Sequence, residues 1–177
     1  MTDSITIGAD GQANQTLDLL RAEQRTGELG TEAGILPGLG FHADPELNLS
    51  GSWTTEPGRL LDIQADVPGI GGWAGLHLSL PIASTRGRGI IGFAARLQAP
   101  EIFVARACLR SGREGGFVDC FFEKHLLFTP DETSHVDVLQ IAHRDTIPEE
   151  APWRDLILFL PTESFRLSLI DWRVFAV

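Results

Sequence analysis

The chain has 177 residues, of which 43% are hydrophobic and 21% charged, which is the composition of one globular domain rather than of a disordered chain. Its formal net charge is −10 and Lys124 is its only lysine, so we expect no nucleic-acid partner. No apolar run approaches the roughly 20 residues that span a bilayer, so we expect no membrane insertion. Residues 1–15 lack the pattern of a secretory signal, which predicts a cytoplasmic location or export by a route that the N-terminus does not show.

Residues 1–40 are predicted to form an N-terminal arm. Asn14 can cap a short helix near residues 15–25, in which Leu17 and Leu20 share one side. A Gly/Pro-rich connection then interrupts any regular element, at Gly27, Gly30, Gly34, Pro37, Gly38 and Gly40. Such an arm must lie against its own sheet or against a neighbouring chain, and the second case predicts a homo-oligomer. The apolar residues available for that contact are Ile5, Ile7, Leu17, Leu20, Ile35, Leu36 and Leu39.

Residues 41–177 are predicted to form an all-β domain. Short apolar or alternating runs, separated by Gly and Pro turns, leave gaps too short for the helical crossovers of a parallel sheet. The pattern therefore predicts an antiparallel β-sandwich of the jelly-roll type. The nine predicted strands cover residues 47–54, 59–66, 73–80, 89–97, 101–109, 117–122, 135–142, 156–160 and 165–175.

Three local patterns predict finer features of this sandwich. Residues 156–160 are apolar at every position, which predicts a central strand covered on both faces, with the arm as one cover. In the last strand the apolar parity changes after Leu169, which predicts a β-bulge near Leu169 and Ile170. A hairpin turn at residues 111–116 sets Cys108 opposite Cys120, which is compatible with a cross-strand disulfide or with two buried free thiols.

A polar face on the second and third predicted strands is the candidate binding site. Asp62 and Gln64, with Asp66, alternate with core residues on one strand, and Trp73 and His77 do so on the next. If the two strands are neighbours, an aromatic ring stands beside hydrogen-bonding groups, the combination that sugars require, although a solvated sheet face has the same pattern. Arg106 and Arg110 could extend this face. The predicted ligand-binding residues are Trp73, His77, Asp62, Gln64 and Arg106.

No motif predicts catalysis or a cofactor. The five histidines lack a His-x-His spacing, and no serine elbow or nucleotide-binding loop is evident, so no catalytic residue and no metal ligand is predicted. One alternative is a structural calcium ion held by Asp44, Glu46 and Asp171, because these carboxylates lie near the start and the end of the predicted sandwich.

The strand pattern of residues 40–177 resembles the galactose-binding-like jelly rolls of carbohydrate-binding modules. The resemblance rests on the number of strands, on Gly-Ser-Trp at residues 51–53 and on the closing strand with Leu-Ile-Asp-Trp-Arg-Val-Phe at residues 169–175. It implies a non-catalytic domain whose partner is a carbohydrate or another small polar ligand. The absence of tyrosine departs from that pattern.

Two other functions are compatible with the same fold. The first is a structural or assembly subunit, such as part of a virion-like particle or a surface appendage, that uses the arm for contacts between subunits. The second is a jelly-roll enzyme such as a glycosidase, which would need two carboxylates across a cleft.

Overall fold

The computed structural model describes residues 9–177 and has one α-helix, α1 (Ala9–Ala22), followed by strands. The predicted contact residues Ile5 and Ile7 lie outside the described residues. Two short 3-10 turns cover Pro45–Leu47 and Ile141–His143. The strands are β1 (Arg25–Leu29), β2 (Glu32–Leu36), β3 (Leu39–Ala43), β4 (Ser50–Glu56), β5 (Arg59–Asp66), β6 (Ala74–Ser79), β7 (Ile90–Gln98), β8 (Phe103–Arg113), β9 (Gly116–Phe128), β10 (Thr133–Gln140), β11 (Arg154–Leu160) and β12 (Phe165–Ala176).

Two antiparallel six-stranded sheets form a sandwich, which confirms the predicted fold class. Sheet A has the strand order β1-β4-β5-β12-β7-β10, and sheet B has the order β2-β3-β6-β11-β8-β9. All nine predicted strands are present, with ends that differ by a few residues, and β9 extends six residues beyond its predicted end. Within residues 9–177, no helix is long and apolar enough to cross a membrane.

Alternating apolar side chains from both sheets fill the core. On β6 the side chains in the core are those of Ala74, Leu76 and Leu78, and the residues between them lie on the opposite face. The pairing of β12 with β7 shifts between Leu169 and Asp171, which confirms the predicted bulge. The bulge turns Trp172 into the core, where it is fully buried.

The helix differs from its prediction in position and in the role of Asn14. Because α1 begins at Ala9, Asn14 lies inside it and caps nothing. Its side-chain amide instead pairs with the backbone of Val174 on β12, donating to the carbonyl at 2.7 Å and accepting from the N–H at 2.9 Å. Strand β5 pairs with β12 only as far as Leu169, so Asn14 satisfies backbone groups that have no strand partner there.

The predicted irregular connection is wrong, because residues 25–43 form β1, β2 and β3. Gly27 shows why a glycine does not interrupt a strand here: it pairs with Trp53, and a Cβ atom would lie 2.6 Å from the indole ring. Strand β3 runs across the predicted boundary between residues 40 and 41. The buried residues that this region and α1 contribute to the hydrophobic core include four of the predicted contact residues, Leu17, Leu20, Ile35 and Leu39.

Strand β11 is central, as predicted, since it lies between β6 and β8. The helix of the arm does not cover it within the described residues, because α1 packs on β12, β5 and β4 of sheet A. Ile157, on the outer face of β11, is nonetheless fully buried, with Cys108 and His77 as its cross-strand partners.

The two cysteines are buried free thiols, so the disulfide alternative is wrong. The hairpin turns at Glu114 and Gly115, with Arg113 paired to Gly116, so that Cys108 stands opposite Phe121 and Cys120 opposite Leu109. Cys108 and Cys120 therefore point to opposite faces of sheet B. Burial, with a smaller contribution from nearby Asp119, raises the pKa of Cys108 to about 12, so this thiol stays protonated.

Candidate functional site

The structure divides the predicted polar face between the two sheets. Strand β5 belongs to sheet A and β6 to sheet B, so the expectation that these strands are neighbours is wrong. Asp62 and Gln64 lie on the outer face of sheet A, because Ile63 between them is buried in the core. His77 and Arg106 both lie on the outer face of sheet B, separated by β11.

Trp73 directly precedes β6 and is 39% exposed. Its backbone carbonyl accepts a hydrogen bond of 2.9 Å from the N–H of Asp44. Trp73 is therefore fixed at the end of β6, in sheet B, while Asp62 and Gln64 belong to sheet A.

A continuous row of aromatic rings and guanidinium groups crosses the outer face of sheet B. We name it the arginine–aromatic strip, formed by Phe117, Arg110, Phe159, Phe121 and Arg106. The Arg110 guanidinium carbon lies 3.8 Å from the ring centre of Phe117 and 5.9 Å from that of Phe159. The rings of Phe159 and Phe121 stack with their centres 5.7 Å apart. The Arg106 guanidinium then lies 4.1 Å from the centre of Phe121.

Strands β8, β9 and β11 place these side chains on one surface. Arg106 and Arg110 alternate along β8 with Ala107 and Leu109, which are buried in the core. Phe159 pairs with Arg106 across β11 and β8. The strip is accessible to solvent at its end, where Phe117 is 46% exposed.

The two arginines of the strip differ in their polar contacts. Arg110 donates two hydrogen bonds to the carboxylate of Asp119, from Nε to Oδ1 at 2.7 Å and from Nη2 to Oδ2 at 2.8 Å. These bonds raise the pKa of Arg110 above its ordinary value. Arg106 is exposed and takes part in no hydrogen bond or ion pair within residues 9–177.

Trp153 adds a further exposed ring beside the strip. It directly precedes β11, and its carbonyl accepts a hydrogen bond of 2.9 Å from the N–H of Gly112. A Cβ atom on Gly112 would lie 2.4 Å from the indole nitrogen, so the indole packs against the bare backbone of β8. Gly112 pairs with Phe117, and Trp153 is 43% exposed. Trp153 and Phe117 therefore stand at the same end of sheet B.

A small polar cavity of about 260 Å³ lies on the other half of this face. The rings of His42 and His77 meet edge to face there, with their centres 4.8 Å apart. His77 Nδ1 lies 3.5 Å from the carboxylate of Asp155, and its Nε2 is buried without a hydrogen-bond partner in the described chain. Burial and, to a smaller extent, the neighbouring His77 lower the pKa of His42, so this ring is neutral at neutral pH.

The outer face of sheet A carries two adjoining grooves of about 310 and 550 Å³. They are larger than the cavity near His77, but no aromatic ring is exposed in them, so a sugar has no ring on which to stack. We name them together the polar groove. Its polar lining residues are Ser52, Thr54, Asp62, Gln64, Asp66, Glu101, Ser164, Arg166 and Ser168.

The carboxylates considered for calcium do not come together. Asp44 accepts hydrogen bonds from the backbone N–H groups of Gly72 and Glu46, and these bonds lower its pKa. Asp171 is hydrogen-bonded to Arg21. Residues 9–177 contain no group of three or more His, Cys, Asp or Glu side chains arranged to hold a metal ion.

Sequence reasoning missed most of the strip. Phe117, Asp119 and Phe121 alternate with Val118 and Cys120 on a predicted strand, and this parity was a usable signal. Which arginines these rings reach depends on the register of the β8–β9 hairpin, which sets Phe117 opposite Gly112 and Phe121 opposite Cys108. Phe159 lies in residues 156–160, which are apolar at every position, so alternation does not assign it to a face.

No family model matches the sequence, and no curated protein matches it significantly. Several solved structures share the fold. A CBM4 carbohydrate-binding module has a TM-score of 0.60 and 11% identity, with 93% of this chain and 98% of the module covered. The CBM22-1 xylan-binding domain of Xyn10C from Paenibacillus barcinonensis has a TM-score of 0.56 and 11% identity, with 85% and 92% covered.

The same fold also occurs in a domain that is named as an enzyme. The xyloglucanase domain of NopAA from Sinorhizobium fredii has a TM-score of 0.53 and 6% identity, with 86% of this chain and 99% of that domain covered. At these identities the similarity is one of fold. It confirms that the sandwich is of the kind found in carbohydrate-binding modules.

Proposed function

We propose that this domain binds a glycan without transforming it, and that the ligand lies on the outer face of sheet B along the arginine–aromatic strip. The observation that carries the proposal is the continuous row of three phenylalanine rings and two guanidinium groups on that face. The fold that the domain shares with carbohydrate-binding modules supports it.

The chemistry of the strip fits a sugar ligand. The C–H groups on one side of a pyranose ring pack on an aromatic ring, and the rings of Phe117 and Trp153 are 46% and 43% exposed at one end of the strip. Hydroxyl groups at the rim of the sugar need donors and acceptors in fixed positions, which Arg106 and the cavity beside His77 and Asp155 provide.

The strip runs in the direction that suits a linear polysaccharide. Strand β8 has eleven residues, and at about 3.3 Å per residue it is roughly 36 Å long. Arg106, Arg110 and Gly112, which is covered by Trp153, follow one another on one face of β8 at intervals of four and two residues. In this proposal His77 and Arg106 keep their predicted role, and Asp62 and Gln64 belong to a separate surface.

Affinity electrophoresis through gels that contain soluble xylan, xyloglucan or mixed-linkage β-glucan tests the proposal. We expect at least one polysaccharide to retard the protein. Because a buried ring–sugar contact contributes about 1–2 kcal/mol, Phe121→Ala should weaken that binding by about five- to thirtyfold. Phe117→Ala, at an exposed position, provides a second variant that should leave folding intact.

Gln64→Ala is the matched control, because Gln64 is exposed on the outer face of sheet A. Unchanged binding in Gln64→Ala with loss in both phenylalanine variants supports the proposal. Loss in Gln64→Ala alone would assign the site to the polar groove. If no polysaccharide, neutral or acidic, retards the protein, the proposal falls, and if new reducing ends appear on incubation, the non-catalytic part of it falls.

A further inference from the structure

We infer that the strip is selective for carboxylate-bearing glycans, such as polyuronates, and that Arg106 is the residue that recognises the carboxylate. The inference rests on the proposed function and adds the class of ligand to it. It is carried by a comparison between the two arginines of the strip, which occupy equivalent positions on rings but differ in what their N–H groups contact.

Arg110 shows how a carboxylate binds on this surface. Its guanidinium lies over Phe117, and both oxygens of Asp119 accept hydrogen bonds from it at 2.7 and 2.8 Å. Such two-pronged pairs are among the strongest hydrogen-bonded contacts that arginine makes. Asp119 stands directly opposite Arg110 in the β8–β9 pair, so the protein supplies this carboxylate itself.

Arg106 repeats the stacking but not the ion pair. Its guanidinium lies over Phe121, and the residue directly opposite it is His125. An imidazole cannot accept two parallel N–H bonds as a carboxylate does. The exposed N–H groups of Arg106 therefore have no protein acceptor in the described chain, and the ring of Phe121 holds the guanidinium plane in place with little loss of side-chain entropy on binding.

Two acidic groups of this face, Asp119 and Asp155, lie directly opposite Arg110 rather than Arg106, and Asp119 is ion-paired with Arg110. Glu123 on β9 is ion-paired with Arg144. The strip can therefore accept a negative charge even though the whole chain carries −10. At about 0.15 M ionic strength the repulsion from distant acids is screened beyond roughly 8 Å.

Arg166 on sheet A provides the contrast. It is exposed and has no hydrogen bond or ion pair within residues 9–177, but it lines the polar groove together with Asp62, Asp66 and Glu101. Those carboxylates would repel an anionic ligand, so an unpaired arginine alone does not make a polyuronate site. The residues opposite Arg106 on the two neighbouring strands, Phe159 and His125, carry no carboxylate.

The test measures the binding of polygalacturonate, polyglucuronate and alginate, each against its carboxyl-reduced form, at about 0.15 M ionic strength. The paired polymers have the same backbone and differ in the carboxylate. We expect the wild-type protein to bind at least one polyuronate about tenfold more tightly than its neutral form. Arg106→Gln should abolish that preference, Arg106→Lys should keep part of it, and Arg166→Gln should leave it unchanged.

The outcomes separate this inference from the proposed function. Equal binding of the acidic and neutral polymers by the wild type, or an equal loss of both in Arg106→Gln, would overturn carboxylate selectivity and leave glycan binding in place. A preference that survives Arg106→Gln and disappears in Arg166→Gln would overturn it in favour of sheet A. Failure to bind any acidic or neutral glycan would overturn both proposals. Circular dichroism on Arg106→Gln verifies that the exposed substitution leaves the fold intact.

Discussion

The two outer faces of the sandwich are built on the same alternation of buried and exposed residues, yet their chemistry differs. The outer face of sheet A carries small hydroxyl and amide side chains such as Ser52, Thr54 and Gln64, and several of its charges pair with one another, as Arg96 does with Glu132. The outer face of sheet B carries the arginine–aromatic strip, in which guanidinium groups lie on rings. Only the second combines stacking surfaces with donors that have no protein acceptor.

This difference shows what strand parity determines and what it leaves open. Parity determines that Asp62 and His77 both point away from the core, and both do. Whether they share a surface depends on the sheet that each strand joins, and consecutive strands β5 and β6 join different sheets. In a two-sheet sandwich, strand parity determines which residues point outward, but the sheet topology determines which of them share a binding face.

Sheet B also has a buried cation below its surface. Arg154 on β11 is 1% exposed and has no carboxylate partner in the described chain. Its guanidinium donates to the carbonyl of Ile82 at 2.9 Å, to the hydroxyl of Ser111 at 2.5 Å and to the carbonyl of Pro148 at 2.6 Å. We expect Arg154→Met to lower the free energy of unfolding by about 3 kcal/mol, because several buried acceptors lose their donor. Urea denaturation measures it.

Arg96→Met on sheet A is the matched control for that substitution. Arg96 pairs with Glu132 in an exposed ion pair, so its removal should cost less than about 0.5 kcal/mol. A loss below about 1 kcal/mol in Arg154→Met would show that the loops around residues 82 and 148 are held by other contacts, and the contrast between the sheets would then be confined to their surfaces.

The prediction of the fold from sequence succeeded where the signal was local. The alternation of short runs located nine strands, and the parity change at Leu169 located the bulge, because both are visible within a few residues. The strands of residues 25–43 are not predicted, because glycines such as Gly27 indicate interruptions of regular structure when only the sequence is considered. Gly27 instead gives room to the indole of Trp53, a contact formed across two strands.

The site was predicted less completely because it depends on contacts between strands, which no local pattern shows. His77 and Arg106 were assigned to the correct face, because each alternates with buried neighbours. The strip itself depends on three strands, β8, β9 and β11, and on the register of the β8–β9 hairpin, which sets Phe121 opposite Cys108. No pattern within one strand reports the register of another, so Phe121 and Phe159 could not be joined to Arg106 from sequence alone.

A second test compares two glycines that lie under tryptophans. Gly27 faces Trp53, which is 6% exposed in sheet A, and Gly112 faces Trp153, which is 43% exposed in sheet B. In both cases an added Cβ would lie within 2.7 Å of indole atoms. Gly27→Ala should cost about 2 kcal/mol because a buried ring cannot move aside, whereas Gly112→Ala should cost about 1 kcal/mol or less because Trp153 can turn into solvent.

Denaturation of the two glycine variants, followed by tryptophan fluorescence, measures this difference. Gly112→Ala should shift the native emission to longer wavelength as Trp153 becomes more exposed, and it should also weaken any glycan binding that uses this end of the strip. Equal costs in the two variants would mean that Trp153 is as constrained as Trp53, and the outer face of sheet B would then be more rigid than its exposure indicates.

The smallest expected effect concerns pH and involves one histidine from each sheet. Burial lowers the pKa of His135 on β10, and burial together with His77 lowers the pKa of His42 on β3, both from 6.5. Below that value the unfolded chain binds protons that the folded protein does not, so the free energy of unfolding should decrease as the pH falls from about 7.5 through 6.5 toward the lowered values. Each of His42→Gln and His135→Gln should flatten the dependence of the free energy of unfolding on pH.

If the decrease persists in the double variant, carboxylates rather than these rings cause it. If His135→Gln alone removes it, His42 on the face of sheet B is open enough to water to be protonated without loss of stability.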